Sequence, residues 1–132
     1  MARKRNAGFS LIELMIAIAV LGIIVTWAVS TYGSSTIKSR RGTAKACLME
    51  VAQFMERNYT LKMTYDVDDF PELACAGELS DHYAFDFVGT PDGDSYEIEA
   101  APVGGQADDT LCGTLTIDQS GVKGANDVEA CW

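Results

Sequence analysis

The sequence predicts an α+β protein: one long amino-terminal helix, hydrophobic in its first half, packs by its second half on a small antiparallel sheet secured by two disulfides. Three observations carry that expectation. An apolar run fills residues 14–29, and an amphipathic stretch with the helical period follows it. Short runs of period two then alternate with turn residues. Four cysteines, Cys47, Cys75, Cys112 and Cys131, all lie beyond the apolar run. An even number in a short exported chain points to two disulfides formed in an oxidising compartment.

Within residues 14–29 only Gly22 and Thr26 interrupt the apolar character. Adding residues 9–12 gives about 20 residues, broken only by Ser10 and Glu13, enough to cross roughly 30 Å of hydrocarbon as a helix. Arg3, Lys4 and Arg5 precede the run and no acid does. That bias keeps the leader cytoplasmic and carries everything after Thr31 across the membrane. Glu13 is the outlier. A carboxylate at the centre of a membrane helix costs roughly 2.5–3.5 kcal/mol, so its presence marks function and a partner. Two plainer readings exist: a signal peptide cut after Ser30, where Ala28-Val29-Ser30 loosely imitates a small-x-small site, or an anchor with an accidental acid. The acid and the length of the apolar run weigh against the signal peptide, as does the lack of a second domain start after Ser30.

Beyond Tyr32, residues Ile37, Ala44, Cys47, Leu48, Val51, Phe54, Met55 and Asn58 recur at spacings of three, four and seven. Lys38, Arg40, Arg41, Lys45, Glu50, Gln53, Glu56 and Arg57 fall mostly on other faces, as expected of a helix packing one stripe on a core. The joined helix runs from Phe9 to about Tyr59, roughly 75 Å at 1.5 Å per residue. A head of this size cannot bury such a helix, so its first half must meet lipid or other copies. Strands are expected at residues 83–88 and 95–100, joined through the Asp92-Gly93 turn, and at 114–117, stopped by Asp118-Gln119-Ser120-Gly121.

The 132 residues suit one small domain plus an anchor. Ten basic residues face 19 acidic ones; without residues 1–8 the balance is 7 against 19, a net of −12. Such a body is not built to neutralise phosphates, and no direct nucleic-acid binding is expected. It repels itself, so ordered assembly must be driven from elsewhere. No CxxC spacing occurs and His82 is the only histidine, which argues against a zinc site. His82 lacks a cysteine or serine partner and reads as a turn or strand start. Asp66, Asp68 and Asp69 lack the glycine and distal glutamate of a calcium loop and read as a solvated loop. Asp92-Gly93-Asp94, Asp108 and Asp109 read as turn chemistry. Phe54, Met55 and Tyr59 read as core, and Trp132 as a cover for the neighbouring disulfide. No phosphate loop is present, and neither catalysis, a cofactor nor a metal is expected.

The stretch Gly8-Phe9-Ser10-Leu11-Ile12-Glu13-Leu14-Met15-Ile16, behind its basic leader, resembles the amino terminus of type IV prepilins. The resemblance implies cleavage between Gly8 and Phe9 by a prepilin peptidase, retention of the apolar segment, and methylation of the Phe9 amine. Residues 1–8 would then be a removed leader, 9–32 the transmembrane and assembly half of the helix, and 33–132 the head. Phe9 and Glu13, four apart, lie one above the other on a helix. The amine of one subunit can pair with the Glu13 carboxylate of its neighbour, a register device wherever leaving either unpaired is costly. One departure is that many type IV pilins carry a proline about where Ser30 stands. No proline kink is expected here, though Gly33 can loosen the helix.

The segments around Gly104-Gly105-Gln106, Cys112-Gly113-Thr114-Leu115-Thr116-Ile117 and Cys131-Trp132, with the helix end at residues 52–60, resemble PilE-type minor pilins. Residues 61–81 are poorly matched. Four cysteines allow three pairings. The preferred set joins Cys112 to Cys131, closing a loop beyond the last strong strand, and Cys47 to Cys75, tying helix to connecting loop. Each bridge is worth about 3 kcal/mol in the chain-entropy account.

The implied fold is type IV pilin-like, and the implied role is that of a structural minor pilin in pilus assembly or initiation. Twitching motility, adhesion or DNA uptake would be the outcome. Its partners would be other minor pilins, the major pilin, the prepilin peptidase, an inner-membrane assembly platform and the membrane itself. It would sit in the inner membrane as a single-pass protein, then in a pilus on the cell surface. The rivals are a type II secretion pseudopilin, which shares the anchor but usually carries a calcium loop, and a ligand-binding pilus-tip adhesin.

Overall fold

The computed structural model describes residues 9–132, apart from the side chain of Ser30. Helix α1, Leu11–Lys62, is followed by α2 (Ala74–Glu78), strands β1 (Tyr83–Phe87) and β2 (Glu97–Pro102), and a 3₁₀ turn (Gly104–Asp108). Strands β3 (Leu115–Asp118) and β4 (Lys123–Gly124) and helix α3 (Val128–Cys131) complete the chain. Two compact units divide between Thr36 and Ile37. α1 contains no proline, so no backbone donor is lost along it, and both Ser30 and Gly33 are helical. It ends three residues beyond the expected Tyr59. Met63 adopts φ 55° while its N–H still donates to the Tyr59 carbonyl at 2.8 Å, a left-handed cap.

In the second unit the sheet has the order β1-β2-β3-β4 with every neighbouring pair antiparallel. β2 starts two residues later than the period-two pattern suggests. The Asp92 carboxylate takes the N–H groups of Asp94 and Ser95, and the Tyr96 N–H goes to Gln119 Oε1. Those amides are engaged before the ladder can use them. β4 went unanticipated: Asp118 accepts the N–H groups of Ser120 and Val122 around Gly121 (φ 74°), turning the chain back for two paired residues.

The core forms where Ala44, Cys47, Leu48, Val51 and Met55 of α1 meet Tyr83, Ile98, Ala100, Leu115 and Ile117 of the sheet. Burying each large apolar side chain contributes about 1.5–3 kcal/mol. Tyr59 packs against this core, but Phe54, at the margin of the stripe, stays 37% exposed. Disulfides join Cys47 to Cys75 and Cys112 to Cys131, with Cα separations of 5.7 and 5.6 Å.

One buried element corrects the sequence reading. Asp109 is not only a turn residue, and Arg41 does not lie on an outer face: the two form a buried ion pair with N–O 3.2 Å. Arg41 precedes Ala44 by three residues and Leu48 by seven, so it shares the packed stripe. Its guanidinium also lies against Cys112 Sγ and Cys131 Sγ. Beside it, the Gln106 Nε2 amide donates to the Ile37 carbonyl and to the Tyr83 hydroxyl, each at 3.0 Å. At the other end of the core the Tyr65 and Tyr96 hydroxyls donate to Glu56 at 3.1 and 3.4 Å. Burial pushes the Tyr96 phenol well above the usual tyrosine value, and the Glu56 charge adds to it. Burial likewise raises Tyr83, with Asp109 reinforcing the effect and Gln106 and Arg41 opposing it.

Two outcomes follow. Arg41→Met leaves Asp109 buried without its partner and should lower the unfolding free energy by about 3 kcal/mol in urea titrations. The double variant Arg41→Met/Asp109→Leu should recover most of that loss. Tyr83 and Tyr96, raised in the folded state, contribute stability that is complete below the unfolded value of about 10 and is lost as pH climbs through the folded values. Near-ultraviolet circular dichroism should therefore show alkaline loosening of the head above about pH 10, and Tyr96→Phe should reduce it.

Candidate assembly site on the amino-terminal half of α1

Phe9 and Ser10 precede α1, and Glu13 sits in its first turn. The Ser10 carbonyl opens the helix by accepting the N–H groups of Glu13 (3.0 Å) and Leu14 (3.3 Å). The spacing Ser10-Leu11-Ile12-Glu13 also fits a helix-start pattern, a local signal absent from the membrane argument above. At this position the Glu13 carboxylate meets the positive end of the helix dipole, which offsets part of the cost of placing it in an apolar stretch. Gly8, and with it the expected cleavage bond, lies outside the described residues.

The side chains around Glu13 have no protein cover. Phe9 is 75% exposed, Leu11 74%, Ile23 72% and Trp27 80%, and each large apolar residue described between 9 and 32 is likewise exposed. α1 is the one described helix long and apolar enough to cross a membrane. Its hydroxyls are compatible with that environment. Thr26 donates to the Gly22 carbonyl at 2.8 Å, Thr31 to Trp27 at 3.3 Å, and Thr36 to Tyr32 at 3.0 Å. Each polar group returns to the backbone rather than facing hydrocarbon bare. Between Trp27 and Tyr32, small Ala28 and Thr31 leave a notch of about 360 Å³ on the helix surface. The arrangement suits side-by-side helix packing, where small residues admit a neighbour closely.

The other residues singled out by the sequence are dispersed. His82 lies immediately before β1, its N–H donating to the Leu79 carbonyl at 2.8 Å and its Nδ1 buried without a partner. Asp66, Asp68 and Asp69 are exposed on the loop before α2. Among the described residues no three His, Cys, Asp or Glu side chains converge as metal ligands. The Trp132 indole N–H donates to the Gly124 carbonyl at 2.8 Å, and the Lys123 ammonium stands 4.9 Å from its ring. Both its face and its polar edge are already engaged. Gly113 is demanded locally: its φ is 59°, and an added Cβ would come within 2.6 Å of the Asn126 amide. Sequence reasoning missed Gln106, whose partners Ile37 and Tyr83 are distant in the chain, and Glu56, which meets the hydroxyls of Tyr65 nine residues on and Tyr96 forty residues on.

Comparison with known proteins places this geometry. Residues 30–116 match the family described as type IV minor pilin ComP, DNA uptake sequence receptor, and residues 3–29 match the prokaryotic N-terminal methylation motif. The type IV major pilin protein PilA of Myxococcus xanthus (strain DK1622) is 31% identical over 81 residues, covering 61% of this chain and 36% of that protein. The chain thus spans little more than a third of this curated relative. Among solved structures, a type IV pilin from Shewanella oneidensis is 31% identical with a TM-score of 0.58, covering 73% of this chain and 97% of that one. The non-core minor pilin PilV of Neisseria meningitidis, 21% identical with a TM-score of 0.54, covers 70% and 88% respectively and shares the fold. With 87 of its 132 residues inside the first of these families, the chain belongs to the type IV minor pilin ComP family.

Proposed function

We propose that this minor pilin is made as a single-pass inner-membrane precursor, loses residues 1–8 by cleavage between Gly8 and Phe9, and acquires a methyl group on the Phe9 amine. Residues 9–32 then hold it in the membrane, with residues 33–132 as the exported head. Other minor pilins and the major pilin receive it into a pilus through an inner-membrane assembly platform. Glu13 supplies the charge that pairs with the amine of a neighbouring subunit and sets the stacking register. The observation that carries this reading is the uncovered apolar helix with a lone carboxylate in its first turn. Such a surface is stable only in lipid or among other helices, and its charge is stable only when paired.

A second reading, direct reception of DNA by the head, is favoured by the family description. The charge distribution opposes it. Residues 37–132 carry 7 Lys and Arg against 18 Asp and Glu, a net of −11, and residues 63–122 contain no Lys or Arg at all. A duplex would meet repulsion rather than counterion release over most of that surface. We therefore assign DNA contact, where the pilus makes any, to a different subunit.

Glu13→Ala should be processed normally and retained in the membrane, while its amount in sheared pili falls to about a tenth or less, the effect of roughly 1.4 kcal/mol or more of lost pairing. Immunoblots of pili against membranes, with mass spectrometry of the mature terminus, read both quantities. Wild-type levels in filaments would remove Glu13 from assembly, and a mature chain starting at Thr31 would remove the anchor. Full-length protein in detergent should show no duplex DNA binding at about 150 mM salt; retention there would move the reading to a DNA receptor.

A further inference from the structure

We infer that the open edge of β1 is a docking site for an extended, basic, apolar-alternating segment of a partner protein, which adds to the sheet as a fifth strand. β1 occupies one end of the strand order, so one of its edges is paired to β2 and the other to no described strand. The parity of the ladder shows which groups are left. The Val103 N–H donates to the His82 carbonyl and the Val88 N–H to the Glu97 carbonyl, so the even-numbered residues of this stretch face β2. Tyr83, Phe85 and Phe87 therefore turn their backbone groups to the open edge. Two of those donors are already engaged: the Tyr83 N–H by the Leu79 carbonyl, and the Phe87 N–H by the Asp86 carboxylate. The Phe85 N–H and C=O stay available at the centre of the edge.

A groove of about 580 Å³ runs beside these groups, its lining including Phe70, Glu72, Leu73, Ala76, Tyr83 and Phe85. The Phe70 and Phe87 rings meet edge-to-face at 5.1 Å next to it. An added strand would place alternate side chains in this groove while its backbone paired with Phe85, the physical basis of strand addition. Charge selects the occupant. Asp69, Glu72, Glu78, Asp81 and Asp86 are exposed on the groove-lining segments or next to them in sequence, and the 60 residues 63–122 hold 14 acids and no Lys or Arg. Those acids repel a second copy pairing edge to edge, which guards against self-association. The same acids attract a strand whose outward positions are Lys or Arg. This proposal is independent of the anchor and of Glu13.

The test uses the full chain in detergent micelles and a pool of short synthetic peptides alternating lysine with valine, leucine or phenylalanine. In the free protein the Phe85 amide should exchange hydrogen rapidly while Ala84 and Asp86 are protected; a protected Phe85 amide would overturn the proposal. Adding the peptides should slow Phe85 exchange at least about tenfold, an effect that weakens as salt is raised. Phe85→Pro removes the donor at an edge position where proline is tolerated, and should reduce peptide affinity about tenfold or more. Glu72→Lys leaves the backbone untouched and should also weaken binding. Peptides that leave Phe85 exchange unchanged, or that bind the Glu72→Lys protein as tightly as the parent, would overturn the proposal. Protection of Phe85 by concentrated chain alone would do so in favour of a second copy.

Discussion

The amino-terminal half of α1 carries more apolar surface than this chain can cover, and the rest of the molecule is arranged around that deficit. From Phe9 to Tyr32 the large side chains have no protein partner, and the hydroxyls among them satisfy themselves on their own helix. A segment of this kind has two stable environments, a bilayer and a bundle of like helices. A type IV pilin must occupy both in turn. Apolar contact alone is non-directional and would tolerate sliding between helices. In the reading proposed above, Glu13 gives that permissive surface a preferred alignment, and its place in the first turn lowers the cost of keeping a carboxylate there.

The head solves a different problem. A domain of under a hundred residues buries too little surface to be robust by its core alone. It compensates at both ends of the helix stripe. At one end the Cys112–Cys131 bridge, the Arg41–Asp109 pair and Gln106 knit the 3₁₀ turn and the carboxyl terminus to α1. At the other, the tyrosines around Glu56 close the core, and between the two ends Cys47–Cys75 fastens the connecting segment. The Gln106 amide reaches the Ile37 carbonyl, at the first residue of the second compact unit. The head thus grips its helix from the first turn it owns.

How much of this was legible depends on whether the signal is local. The long helix, the stripe through Ala44, Leu48, Val51 and Met55, and the strands around Phe85, Ile98 and Ile117 follow from periodicity, which needs no knowledge of distant residues. The start of β2 was misplaced because Asp92 and Gln119 consume amides that the alternation pattern assigns to a ladder. Arg41 and Asp109 looked like surface charge because a partner 68 residues away leaves no trace in either neighbourhood. Phe54 shows the converse error: it belongs to the stripe by spacing but lies at its margin, and stays 37% exposed while the adjacent Met55 is fully buried. At the candidate assembly site Glu13 stood out by being an acid among apolar residues, whereas its place at the helix start needed the Ser10 carbonyl to be located.

Charge is segregated along the chain in a way that bears on how such a subunit can serve a pilus whose family is described by DNA reception. Apart from Lys123, the head's basic residues all belong to α1, and Arg41 is neutralised inside the core. Lys123 aside, the charged Asp, Glu, Lys and Arg side chains of the sheet and its connecting loops are all acidic. A surface of that sign discourages duplex DNA, discourages pairing of identical edges, and favours partners that bring positive charge. The apolar half of α1 and the acidic head thus present surfaces of opposite character, one uncharged but for Glu13 and one strongly negative. A field of that sign favours the approach of proteins that carry cations over that of a polyanion such as duplex DNA.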